Sequence, residues 1–143
     1  MYIFYNIQHL IMLGQLKLLQ SLIDDGYKII TSEYRLSYYS GPKQYQVRSM
    51  IENGLVQLID QPDDLTLFIE EFSEPFPYAG EGVLLLMHLC KCSNCTLVIE
   101  EDEQMILDVA TYFGVTTISI LEFYKQKIKD PKYHEFLISA HQK

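Results

Sequence analysis

Several kinds of segment are missing from this chain, and each absence narrows what it can be. No apolar run reaches the roughly 20 residues that a bilayer span requires. The longest, Val83 to Leu89, is interrupted by His88 and flanked by Glu81 and Lys91. The opening residues, Met1-Tyr2-Ile3-Phe4-Tyr5-Asn6, lack the basic stretch that begins a secretory signal. Cysteine is scarce: three residues, all from Cys90 to Cys95, which build no disulfide framework. These features predict a reducing, cytoplasmic setting and no membrane association. No internal repeat, low-complexity tract or Ser/Gly linker divides the chain, so residues 1–143 are expected to form one domain. That length suits a full hydrophobic core, and 48% hydrophobic with 21% charged content is that of a globular protein.

Basic residues are the other scarcity. The net charge of −8 argues against broad nucleic-acid affinity, because phosphate neutralisation needs Lys and Arg. From Asn53 to Glu122 thirteen acidic residues face a single basic one, Lys91. The positive charge sits elsewhere. Lys28, Arg35, Lys43 and Arg48 lie in the first third, and Lys125, Lys127, Lys129, Lys132 and Lys143 in the tail. Such a division suits a metal cluster beside an RNA groove, a charged protein partner, or an ordinary solvated surface.

What is present reads as alternating strands and helices. Tyr2 to Tyr5 suits a buried strand, and Ile7, Leu10 and Ile11, then Leu16, Leu19, Leu22 and Ile23, recur at helical spacing, with Gly14 as the expected break. Asp24-Asp25-Gly26 signals a turn before a strand over 27–31, and Tyr34 to Tyr39 has no clear period. A helix over Pro42–Glu52, stopped by Asn53-Gly54, precedes a strand over 55–59. Pro62 opens a helix expected to bury Leu65, Leu67, Phe68 and Phe72. Gly80 to Lys91 is apolar nearly all round and so predicts a central helix. A strand over 95–99, a helix over Glu101–Phe113 capped by Gly114, a strand over 115–119, a helix over 121–129 and a terminal amphipathic helix after Pro131 complete the chain. The predicted fold class is α/β, a mostly parallel central sheet of about four to five strands with helices on both faces.

Sites in such sheets gather beyond the carboxyl ends of the strands. Glu100-Glu101-Asp102 stands there, directly after the strand ending at Ile99. As helix-start acids these carboxylates gain about 0.3–1 kcal/mol each from the helix dipole. Alternatively they bind a hard divalent ion such as Mg²⁺ or Mn²⁺, with Glu81 as a further ligand. His88, Cys90, Cys92 and Cys95 offer four metal-capable side chains within eight residues. Structural zinc, however, prefers ligand pairs set well apart, so buried or loop thiols are the favoured reading. Tyr34, Tyr38, Tyr39 and Tyr45 interleave with Arg35, Lys43 and Arg48, which suits a surface loop, a protein interface or base stacking. Gly80-x-Gly82 is no phosphate loop, since no strand precedes it and no Lys follows.

The order Gly80-Glu81, apolar helix, strand, acidic cluster, amphipathic helix and Gly114, closed by Ser119-Ile120-Leu121-Glu122-Phe123, resembles the C-terminal half of PIN-type ribonuclease domains. Phe4-Tyr5-Asn6-Ile7 and the helices around Gly14 occupy the places of that family's opening segment. The resemblance implies a pocket of three or four acids holding Mg²⁺ or Mn²⁺ for RNA hydrolysis. Carried across, Glu81 matches the third acid and Glu100, Glu101 or Asp102 the fourth. The first falls at Phe4 or Tyr5, beside Asn6, and the second near Ser37, with Glu33 or Asp25 as a displaced substitute. The resemblance therefore implies a degenerate site that needs no cofactor and acts by binding a protein partner or a second copy of itself. Asn6, Arg35, Tyr38 and Arg48 are the binding candidates. A metal-dependent ribonuclease using Glu81, Glu101, Asp102 and Glu33 is the alternative, with RNA as its ligand, and a structural or oligomerisation module is the third reading.

Overall fold

The computed structural model describes residues 1–142; Lys143 of the basic tail lies outside the described residues. In chain order the elements are β1 (Tyr2–Phe4), α1 (Ile7–Gln15), α2 (Leu19–Asp24), β2 (Ile30–Thr31), α3 (Glu33–Leu36), α4 (Gly41–Glu52) and β3 (Gln57–Leu58). They continue with α5 (Leu65–Ser73), α6 (Gly80–Ser93), β4 (Thr96–Ile99), α7 (Gln104–Phe113), β5 (Thr117–Ser119), α8 (Ile120–Lys127) and α9 (Pro131–Gln142). All strand pairings are parallel.

The expected sheet of four to five strands is instead divided. β1, β4 and β5 form a three-stranded sheet in the order β1-β4-β5, and β2 pairs with β3 separately. A parallel bridge between Tyr2 and Ile29, with the Tyr2 N–H donating to the Lys28 carbonyl at 2.8 Å, sets the two sheets side by side. The division has a local cause. The turn at Gly26 consumes the residues before β2, and Ser32 starts α3 immediately after it by accepting the Arg35 N–H through its hydroxyl. Only two residues remain to pair.

Side-chain alternation along the strands feeds two cores, one on each sheet face. Phe4 and Val98 point into the core that holds α1, α2, α4 and α8, with Leu13, Leu22, Phe123 and Tyr124. Ile3, Leu97 and Ile99 point into the other, which holds α6 and α7 with Leu84, Leu86, Ile106 and Val109. Helices on both faces were expected, and α6 is as central as its sequence implies: every residue from Val83 to Cys90 is buried. Leu67, expected in the core, is 68% exposed, because α5 turns Leu65, Phe68 and Phe72 inward and leaves Leu67 on the opposite face.

The break between α1 and α2 falls later than Gly14, which lies inside α1. The turn is Schellman-type: the Lys17 N–H donates to the Gly14 carbonyl at 3.1 Å and the Leu18 N–H to the Leu13 carbonyl at 2.9 Å. Lys17 takes the left-handed position, with φ of 61°. Buried Leu13 and Leu18 supply the apolar contact that accompanies such a turn. Gly14 serves packing instead. A Cβ there would lie 2.6 Å from the Met50 methyl, so its absence lets α1 approach α4.

Replacing Lys17 by Gly should stabilise the fold by about 0.5–1 kcal/mol, the left-handed strain less the entropy cost of glycine. Leu86→Ala should cost about 2–5 kcal/mol through the cavity it leaves. Urea denaturation read by circular dichroism measures both.

Candidate functional site at the carboxyl edge of the sheet

β1 ends at Phe4, and Asn6 begins α1. Its side-chain oxygen accepts the Gln8 N–H at 3.0 Å, which caps the helix and aims the amide nitrogen away from it. That nitrogen donates to Glu100 Oε1 at 2.9 Å, across the β1–β4 pairing. His9 follows on the same helix face, and its Nε2 lies 3.0 Å from the same carboxylate oxygen. Its Nδ1 lies 3.2 Å from the hydroxyl of buried Tyr124 on α8. Glu100 can only accept, so Nε2–H donates to it, while Nδ1 meets a phenol that is both donor and acceptor. Burial, reinforced by Glu101 and Glu100, pushes the Tyr124 phenol up and keeps it a donor.

The acidic run stands in a turn before α7, not in its first helical turn as expected. The Glu103 N–H donates to the Glu100 carbonyl, and the Gln104 N–H to that of Asp102. This turn divides the acids. Glu100, Asp102 and Glu103 bring carboxylate oxygens within 4.8 Å of one another. Glu101 points elsewhere and accepts the Leu121 N–H at 2.9 Å. The Glu103 carboxyl is raised, first by burial and then by the charges of Glu100 and Asp102. A cation of the protein's own stands nearby. Buried Arg35 donates through Nη2 to the Tyr5 carbonyl at 2.6 Å, and its guanidinium lies 5.0 Å from the Tyr39 ring centroid. The Tyr5 phenol is raised mainly by burial and then by Glu103, with Arg35 opposing.

No family model, curated protein or solved structure matches this chain. Function is therefore read from the residues themselves.

Of the acids expected at a metal site, Glu100 and Asp102 converge, and Glu103 joins them. Glu81 is exposed at the first turn of α6 and outside that group. Tyr38, just beyond α3, packs on this helix, its ring 3.7 Å from where a Gly82 Cβ would stand. Glu33 is held by Arg48 through two hydrogen bonds of 3.1 and 3.0 Å, which lower its carboxyl and occupy the Arg48 guanidinium. Asp25 pairs with Lys129 at 2.9 Å. It precedes β2 and so belongs to the amino edge of a parallel sheet, the wrong side for this site. His9 escaped sequence reading, although its spacing of three from Asn6 puts both on one helix face. Glu103 escaped as well, and its signal was the same spacing from Glu100 across a turn.

His88 and the cysteines belong to a different structure. The Ser32 hydroxyl donates to Gln61 Oε1 at 2.8 Å, and Gln61 Nε2 donates to the Leu85 carbonyl at 3.1 Å and to His88 Nδ1 at 3.0 Å. His88 Nε2 then faces Asp64 at 2.9 Å. The amide fixes the tautomer: Nδ1 must accept, so Nε2 carries the proton and donates to Asp64. Cys92 lies 3.7 Å from that nitrogen. Cys95 and burial push the Cys90 thiol up, while Cys90 pushes Cys95 down. The four thus fall into two pairs, His88 with Cys92 and Cys90 with Cys95, and among the described residues they do not form one ligand group.

His88→Ala should cost about 1–3 kcal/mol or more, since it strands a buried Gln61 donor and opens a cavity; urea denaturation reads it. Glu103→Gln should raise the melting temperature at pH 7 by removing like-charge repulsion. A carboxyl raised in the folded state is destabilising when ionised. The gain should therefore shrink as pH falls through the raised Glu103 range and wild type protonates there itself. Thermal melts at neutral and acid pH test the sign.

Proposed function

We propose that this chain is a PIN-like domain with a degenerate acidic site, acting in the cytoplasm by binding a protein partner or a second copy of itself and not by turnover. One observation carries the reading. The carboxylate best placed for metal, Glu100, already accepts from Asn6 and His9 through one oxygen, and the position expected to supply the first acid holds buried Phe4 or half-buried Tyr5. Arg35 adds a fixed cation against the Tyr5 carbonyl, next to the first-acid position. Parallel strands with helices on both faces support the PIN likeness. A toxin–antitoxin-like or mobile-element setting follows from that likeness alone. In it, the acidic run from Asn53 to Glu122 meets a basic partner.

The proximity of Glu100, Asp102 and Glu103 favours a second reading, a metal-dependent ribonuclease. Their hard oxygens fit Mg²⁺ or Mn²⁺. An ion held there would polarise a phosphoryl oxygen and lower the pKa of bound water. Glu100 and Asp102 would then be first ligands, with Glu103 completing the set and Glu81 outside it.

Incubation of the full chain with single-stranded and hairpin RNA in Mg²⁺ or Mn²⁺ separates the two. The binding reading expects no cleavage above a metal-free control, and light scattering should give the mass of a dimer or of a complex with a co-purified chain. Metal-dependent cleavage that disappears in both Asp102→Asn and Glu103→Gln would overturn it in favour of the ribonuclease. A strict monomer with no partner and no cleavage would overturn both.

A further inference from the structure

Tyr78 and Tyr112 are each 62% exposed, and both belong to one stack of rings. Phe76 lies between them, its ring centroid 6.3 Å from Tyr78 and 4.9 Å from Tyr112. Beneath, Phe68, Phe72 and Phe76 pack around Phe113 at 5.2, 4.8 and 5.7 Å. Phe113 is buried, so the inner rings are anchored in the core and the outer tyrosines rest on a fixed base. Rigid aromatic ledges of this kind lose little conformational freedom when they bind.

Carboxylates dominate the charge that flanks the ledge in the chain, and Lys91 is the cation that a ring contact places beside it. Glu70, Glu71 and Glu74 lie on or just beyond α5, and Asp108 is one turn before Tyr112 on α7. Among the described residues none of these four carboxylates is in a salt bridge. A nucleic-acid backbone would be repelled here. A purely apolar ligand would strip water from carboxylates and give nothing back. A cation with a flat face satisfies both features, and guanidinium is that cation: it stacks on a ring and donates to a carboxylate in one pose. The cluster already accepts one cation, since Lys91 Nζ lies 5.6 Å from the Phe113 centroid.

We infer that the Phe76–Tyr78–Tyr112 ledge, with Glu71 and Glu74, is a docking site for an arginine-bearing segment of another protein. It stands apart from the carboxyl-edge acids, because Tyr112 is eight residues, roughly 12 Å, along α7 from its first turn. The inference uses neither Glu100 nor the PIN likeness, so it survives or fails without them.

The test is fluorescence anisotropy of the full chain with a labelled peptide of alternating arginine and alanine, its lysine counterpart, and a single-stranded RNA of similar length. The arginine peptide should bind, more tightly than the lysine peptide and more weakly as salt is raised. Tyr78→Ala and Tyr112→Ala should each weaken it by roughly twofold to fivefold. Glu71→Gln with Glu74→Gln should weaken it and flatten its salt dependence. Circular dichroism and melting temperature should hold in the tyrosine variants, since both rings are largely exposed. Absence of binding, equal binding of the two peptides, preference for the RNA, or affinity unmoved by the double tyrosine change would each overturn the proposal.

Discussion

Pairing of Tyr2–Phe4 with Thr96–Val98 joins the first residues of the chain to its last third, and the rest of the molecule is arranged around that register. Through it Phe4 and Val98 face one core while Ile3 and Leu97 face the other. The Tyr5 N–H extends the ladder by one bond to the Val98 carbonyl at 2.9 Å, which carries Asn6 into reach of Glu100. A slip of one residue would exchange the two cores' side chains and pull Glu100 away from Asn6 and His9 together. The chemistry of the edge and the packing of the faces therefore share one cause.

Each face of the sheet also holds one buried histidine whose two ring nitrogens are both engaged. His9 joins α1 to β4 and α8 through Glu100 and Tyr124, and His88 joins α6 to the segments around Gln61 and Asp64. Buried polar groups so fully satisfied act as position markers. An apolar side chain could fill the same space, but it would not discriminate between neighbouring registers. Seen this way, Glu100 is first of all the anchor of a structural network. Its separation from Glu101, which caps the first turn of α8, follows from the same turn geometry. Acids adjacent in sequence end up with unrelated duties.

Parts of this were legible in the chain and parts were not, for identifiable reasons. The apolar run of α6 and the glycine ends of α2, α4 and α7 could be read directly. Gly26, Gly54 and Gly114 all take left-handed backbone, which other residues rarely adopt. The same rule misled at α1, where Gly14 sits in the last helical turn and Lys17 takes the strained position. There the Leu13 and Leu18 side chains, held in the core, outweigh the local preference of the backbone. Glu33 was a plausible acid by position, and its engagement by Arg48 depends on how α4 docks beside α3, which no spacing reveals.

The sequence by itself determined the identity of most elements and the two-sided burial of the sheet. Periods of 3.6 and 2, and the tolerance of glycine for left-handed backbone, are properties of neighbouring residues. Only the tertiary structure decided which carboxylates converge, that His9 reaches Glu100 among them, and that the exposed Tyr112 of α7 and Tyr78 of the loop before α6 share one anchored stack. Those relations join residues far apart in the chain. They exist only after strand register and helix docking have set distances that no local pattern encodes.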